Sequence, residues 1–191
     1  HTRSAHVSGL GDVYKRQLGK ITKTSPYGTV ERPFNPGELV IGAHGTFFAR
    51  SIDAEVNLTT ECMVAASKHD GLSVIEVLVN CMIFNNGTHK AFAGDKEVRA
   101  EHTITLRQGE KMLFGKNMDK GLMLDNMKLK VVTVGENGVT LDDILVHDAH
   151  EKDTMVHVML ASMKYPDFPV ALGIILSLIH ISEPTRHAQI S

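Results

Sequence analysis

Cys81 is the residue with the most chemistry to offer. It lies in Val79-Asn80-Cys81-Met82-Ile83-Phe84-Asn85-Asn86-Gly87, directly after the apolar run Ser73–Val79. A thiolate there can ligate a soft metal or act as a nucleophile. A free cysteine is equally at home as a small buried hydrophobe, and no nearby cysteine offers a second ligand. The chain's other cysteine, Cys62, falls inside a helical pattern and reads as packing. His147, His150 and His157 stand close to Asp148 and Asp153, but the zinc pattern of two histidines four apart with a glutamate between is absent. They read as solvated or capping side chains. Gly42-Ala43-His44-Gly45 could approach a phosphate, yet it is neither the dinucleotide fingerprint nor a P-loop, and a tight turn is the expectation. Lys116, Lys120, Lys128 and Lys130 interleave with Asp119 and Asp125, as on a solvated face. The nine methionines read as core filling. No nucleophile–base–acid triad emerges from spacing.

These residues need elements to place them. Leu18–Glu38 is rich in Gly, Pro, Thr and Lys and reads as an extended loop. Leu39–Ala43 reads as a buried strand, and Thr46–Ala49 as a second, shorter one. A helix is expected from Asn57-Leu58-Thr59 to Lys68, stopped by Gly71. Ser73–Val79 is a nearly unbroken apolar strand, the pattern of a central strand covered on both faces in a parallel sheet. Strand, helix and strand in that order make a βαβ unit. Ligands in open α/β sheets bind beyond the C-terminal ends of strands, which draws attention to Asn80–Thr88. Ala91–Leu124 and Met127–Val134 read as an excursion of short, partly antiparallel strands, broken by Gly109, Gly115 and Gly121. Asp153–Met163 reads as an amphipathic helix with Val156, Met159, Leu160 and Met163 on one face. It ends at Tyr165-Pro166, and Val170–Ile175 is expected to be the last strand.

The whole chain of 191 residues has a formal net charge of −2 and two cysteines. That charge excludes a large electrostatic footprint for nucleic acid. The longest apolar run, Val170–Ile181, is too short to span a bilayer. These limits fit a soluble α/β domain of a reducing, cytoplasmic compartment.

The two ends carry a different signal. Permitted codons for Leu176–Pro184, read on the opposite strand, translate as Gly9–Gln17. No folding principle produces that relation; a sequencing-library adapter joined to both ends of an insert does. Residues 1–17 and 176–191 are therefore expected to be adapter-derived and non-native, and are set aside from fold reasoning. Residues 18–175 carry the domain, and are more acidic on balance than the whole chain.

Within that insert, Lys23-Thr24-Ser25-Pro26-Tyr27-Gly28-Thr29-Val30, Thr46-Phe47-Phe48-Ala49-Arg50, Ile75-Glu76-Val77-Leu78-Val79-Asn80-Cys81-Met82-Ile83-Phe84-Asn85 and Val170-Ala171-Leu172-Gly173-Ile174-Ile175 occur in order. Together they resemble the thiamine-diphosphate-binding β subunit of 2-oxoacid:ferredoxin oxidoreductases, closest to the 2-oxoglutarate branch. The resemblance implies the C-terminal part of a doubly wound α/β fold. It implies a parent enzyme that oxidatively decarboxylates 2-oxoglutarate to succinyl-CoA and reduces ferredoxin. A pyruvate or other 2-oxoacid branch, or a non-catalytic interaction module, is the alternative. The implied cofactors are thiamine diphosphate, Mg²⁺ and a [4Fe–4S] cluster; the implied partners are an α subunit, ferredoxin, the 2-oxoacid and coenzyme A. Cys81 matches the family's late cysteine, the fourth thiolate of the cluster. Lys23 and Thr24, which follow the position of the missing cofactor motif, are candidates for the cofactor site. The family's earlier cysteines and its Gly-Asp-Gly-Asp segment are absent, and belong upstream of Leu18. The chain is thus expected to be an inactive fragment of a catalytic subunit.

Overall fold

The computed structural model describes residues 35–80, 87 and 89–178. Helix α1 (Pro36–Gly42) opens the described chain. Strand β1 (Phe47–Ile52), helix α2 (Val56–Lys68) and strand β2 (Ser73–Leu78) follow as a βαβ unit. Its two strands run parallel, with Phe47 opposite Ser73 and Ile52 opposite Leu78. Two short helices, α3 (Lys90–Ala93) and α4 (Lys96–His102), lead into β3 (Thr103–Leu106). Then come β4 (Leu113–Phe114), β5 (Lys120–Asp125), β6 (Lys128–Thr133), helix α5 (Met155–Ser162) and β7 (Val170–Ser177).

The main sheet has the order β2-β1-β7-β3, and β4-β5-β6 form a small antiparallel sheet. β7 runs parallel to β3 but antiparallel to β1, so the main sheet is mixed. Every residue of β1 is buried. The period of two sends Phe47 and Ala49 into a core with Leu58 and Cys62 of α2. It sends Phe48 to the other face, with Ile41 of α1 and Leu160 and Ala161 of α5. Helices therefore cover both faces, the layering of an α/β fold.

Several expectations are corrected. Leu39–Ala43 is not a strand but lies in and beside α1. Asn35 caps that helix by accepting the Gly37 N–H at 3.0 Å, and Pro36 occupies a first-turn position where no N–H is needed. Gly42–Gly45 is accordingly the end of a helix rather than a turn after a strand: the Ala43 and Gly45 N–H groups bond the carbonyls of Leu39 and Val40. β2 is half-buried throughout and stands at the edge of the described sheet, not at its centre. β5 runs straight through Gly121 and is not broken there. A Cβ there would come within 2.6 Å of Ile144, so the glycine permits close packing. Helices α3 and α4 replace expected strand, with Asp95 capping α4 by accepting the Val98 N–H at 2.9 Å. The last strand extends past Ile175: Leu176 is fully buried and pairs with Phe48.

Candidate functional site

The C-terminal ends of β1 and β2 carry a clasp. Asp53, just past β1, donates its N–H to the Leu78 carbonyl at 3.1 Å. Its carboxylate accepts the Asn80 N–H at 2.9 Å. The Asn80 side-chain oxygen then accepts the Gly87 N–H at 2.8 Å, joining the two ends of the connection after β2. Gly87 has φ +80°, a backbone that glycine adopts without strain. This is the place where the topology of a βαβ unit puts ligands. Cys81 follows Asn80 directly but lies outside the described residues, as do Lys23 and Thr24. Asp53, which sequence reasoning missed, has a legible signal: an acidic residue directly after an apolar strand in a βαβ unit.

Arg50 was also missed as a single residue. It is buried in β1 and faces Glu76 across the β1–β2 ladder, with Nε donating to Oε2 at 2.6 Å. Its Nη2 donates to the Ala161 carbonyl at 3.2 Å, and the guanidinium lies 5.7 Å from the Phe48 ring centroid. One charged group thus ties β1, β2 and α5 together.

Cys62 lines a cavity of about 440 Å³ between α2, the turn after β3, the segment 149–150 and β7. Burial, and secondarily the neighbouring Glu61 carboxylate, push its thiol up to about 11. The thiolate is the form that ligates or attacks, so Cys62 is a packing residue, as expected.

Of the three histidines expected to be solvated or capping, two are buried. His147 donates Nε2–H to the Ile174 carbonyl at 2.8 Å, and His157 donates Nε2–H to the Asp148 carbonyl at 2.9 Å. Burial, the largest influence, holds His147 below the usual imidazole value; nearby His157 adds to this, while the Ile174 bond opposes it. His150 is exposed and bonds the Ser177 carbonyl through Nδ1 at 2.6 Å. Asp148 is held below the usual carboxylate range by the Gln108 amide at 2.8 Å and the His150 N–H at 2.9 Å. Among the described residues no three His, Cys, Asp or Glu side chains gather as a metal would require.

Three lysines of the cluster pair with carboxylates. Lys116 bonds Glu97 at 2.9 Å, while Lys120 bonds Glu101 and Lys130 bonds Asp125. Among the described residues no helix is long and apolar enough to cross a membrane.

No family model matches the chain. It is 36% identical over 170 residues to 2-oxoglutarate oxidoreductase subunit KorB of Mycobacterium tuberculosis, covering 88% of this chain and 44% of that protein. It is 41% identical over 63 residues to 2-oxoglutarate synthase subunit KorB of Archaeoglobus fulgidus, covering 33% of this chain and 24% of the relative. It is 36% identical over 87 residues to the 2-oxoacid:ferredoxin oxidoreductase subunit beta of Saccharolobus solfataricus, covering 42% and 28% respectively. The chain spans less than half the length of each of these relatives. The fold is shared with the 2-oxoglutarate:ferredoxin oxidoreductase of Magnetococcus marinus, solved with 2-oxoglutarate, coenzyme A and succinyl-CoA bound. That match has a TM-score of 0.52 and 16% identity, and covers 90% of this chain and 42% of that one. Over the region it shares with them, the chain is a homologue of the β subunits of 2-oxoacid:ferredoxin oxidoreductases.

Proposed function

We propose that this chain is part of the catalytic β subunit of a cytoplasmic 2-oxoglutarate:ferredoxin oxidoreductase. The intact enzyme, assembled with its α subunit, converts 2-oxoglutarate and coenzyme A to succinyl-CoA and CO₂, and passes the electrons to ferredoxin. The observation that carries this reading is the 36% identity to the mycobacterial 2-oxoglutarate oxidoreductase subunit over 170 residues.

Thiamine diphosphate with Mg²⁺ supplies the carbanion chemistry when bound, and a [4Fe–4S] cluster the electron path. A full cluster does not fit the residues present. Such clusters take four thiolates, the chain has two cysteines, and Cys62 is buried with its thiol at about 11. Cys81 is proposed as one ligand in the intact subunit, and Lys23 and Thr24 as residues near the diphosphate. The chain alone is accordingly inactive.

The test uses the intact subunit co-expressed with its α subunit. Coenzyme-A-dependent reduction of ferredoxin should require 2-oxoglutarate, and Cys81→Ser should abolish or distort the cluster's optical and paramagnetic signals. An unchanged cluster in Cys81→Ser removes the ligand assignment. Turnover with pyruvate but not 2-oxoglutarate moves the enzyme to another branch, and no turnover with any 2-oxoacid overturns the reading.

A further inference from the structure

We propose that His147 is the acid-sensitive half of a latch, with His157 as its second anchor, which pins residues 146–150 to β7 and α5 and so holds one wall of the Cys62 cavity in place.

The latch begins with an irregularity in β7. Pairing with β3 ends at Gly173, and the register with β1 slips so that Ala49 faces Ile174 while Phe48 faces Leu176. Ile175 is the extra residue of a bulge. At this break the Ile174 carbonyl takes its hydrogen bond from the His147 imidazole. The backbone around His147 is a bridge between the two sheets. Its N–H bonds Glu110, its carbonyl accepts from Gly109, and Leu145 joins Met112 and Leu122 of the small-sheet side. On the main-sheet side the Ser177 N–H bonds the Ala149 carbonyl at 2.8 Å. His157 holds the same segment from α5 through the Asp148 carbonyl.

Both imidazoles donate Nε2–H to a backbone oxygen, so in a neutral ring Nδ1 is the bare nitrogen. Nδ1 of His157 is buried and finds no partner among the described residues. His147 is itself buried, and a charge on a buried ring is costly unless it is paired. The charged neighbours do not relieve this. Asp148 and His150 lie on the segment itself, and the Asp148 carboxylate is already engaged by Gln108 and His150. The turn at 107–110 offers Arg107 and Glu110, both exposed. β7 carries no ionisable side chain. The nearby His157 adds to the cost of a charge on His147.

The sign follows from linkage. His147 is lowered in the folded chain, so the released state binds more protons as pH falls below the ordinary histidine value of about 6.5. The latch is intact above that pH and weakens progressively below it. Ala149, His150, Ile174 and Ser177 line the cavity, so release of the segment opens that wall.

The experiment is site-resolved amide exchange on the full chain at about pH 7.5 and about pH 5, corrected for intrinsic rates. Protection at Ser177 and Gly109 is expected to fall at the lower pH. Amides within β1 should keep theirs. His147→Gln, which retains a donor and loses the titration, should remove the pH dependence. If that variant does not fold, the wild-type loss must track the His147 ring-proton titration, at a pKa below that of a free histidine. Uniform loss across the sheet, no loss at Ser177, dependence unchanged in His147→Gln, or loss that ignores the His147 titration each overturns the proposal.

Discussion

Replacing Glu76 by Gln isolates the cost of leaving the Arg50 charge buried. The two side chains are 7% and 12% exposed, and their contact is 2.6 Å. Gln keeps the shape and one acceptor oxygen but cancels the counter-charge. The guanidinium then retains the neutral Ala161 carbonyl at 3.2 Å and Asn35 Oδ1 at 3.4 Å. Removing one member of a buried pair costs about 3–5 kcal/mol. The remaining bonds place Glu76→Gln near the lower end, about 3 kcal/mol, or roughly 6–12 °C in Tm for a domain of this size. Urea unfolding should show the midpoint falling with the slope unchanged. The double variant Arg50→Met with Glu76→Leu removes both charges together. It should return to within about 1 kcal/mol of the parent, or exceed it. A Glu76→Gln cost below about 0.5 kcal/mol, the range of a surface pair, would refute the assignment of a buried, mutually dependent pair.

Gly173→Ala tests the close approach of β7 to β3. Gly173 has φ +100°, and a Cβ would sit 2.5 Å from the Leu106 carbonyl oxygen. A loss of about 2–4 kcal/mol is expected in urea unfolding; a loss below about 1 kcal/mol would show that the backbone there relaxes freely. Cys62, with its thiol at about 11, should carry about 300-fold less thiolate near pH 7.5 than an ordinary cysteine. In a Cys81→Ser background its labelling by an aromatic disulfide should be well slower than a peptide thiol's, the scarcity of thiolate outweighing its higher nucleophilicity. Labelling at the peptide rate would show the site to be open.

The parts of the fold with strong periodicity were legible. The helix expected to reach Lys68 is α2, the Ser73 run is β2, the Met127–Val134 stretch holds β6, and the Ala91–Leu124 excursion holds β3 among its short strands. Misreadings arose where local signals competed. Leu39-Val40-Ile41 looks like a strand, but Asn35-Pro36 in front of it is a helix start. Gly121 looks like punctuation, but its role is contact with Ile144, which is distant in sequence. The burial of His147 was invisible because the carbonyl it serves arises from a register slip in β7. For the candidate site, the strand-end position was legible from topology. The Asp53–Asn80–Gly87 clasp was not, because it joins residues far apart in sequence through one carboxylate and one amide.

That clasp makes the connection after β2 behave as a cassette. Its two ends meet through the Asn80–Gly87 bond, and Asp53 anchors them to the end of β1. The entropy of bringing residues 80 and 87 together is met by the scaffold's own hydrogen bonds. A ligand proposed for this strand end would not have to supply that term, and its affinity would then be set by its own contacts.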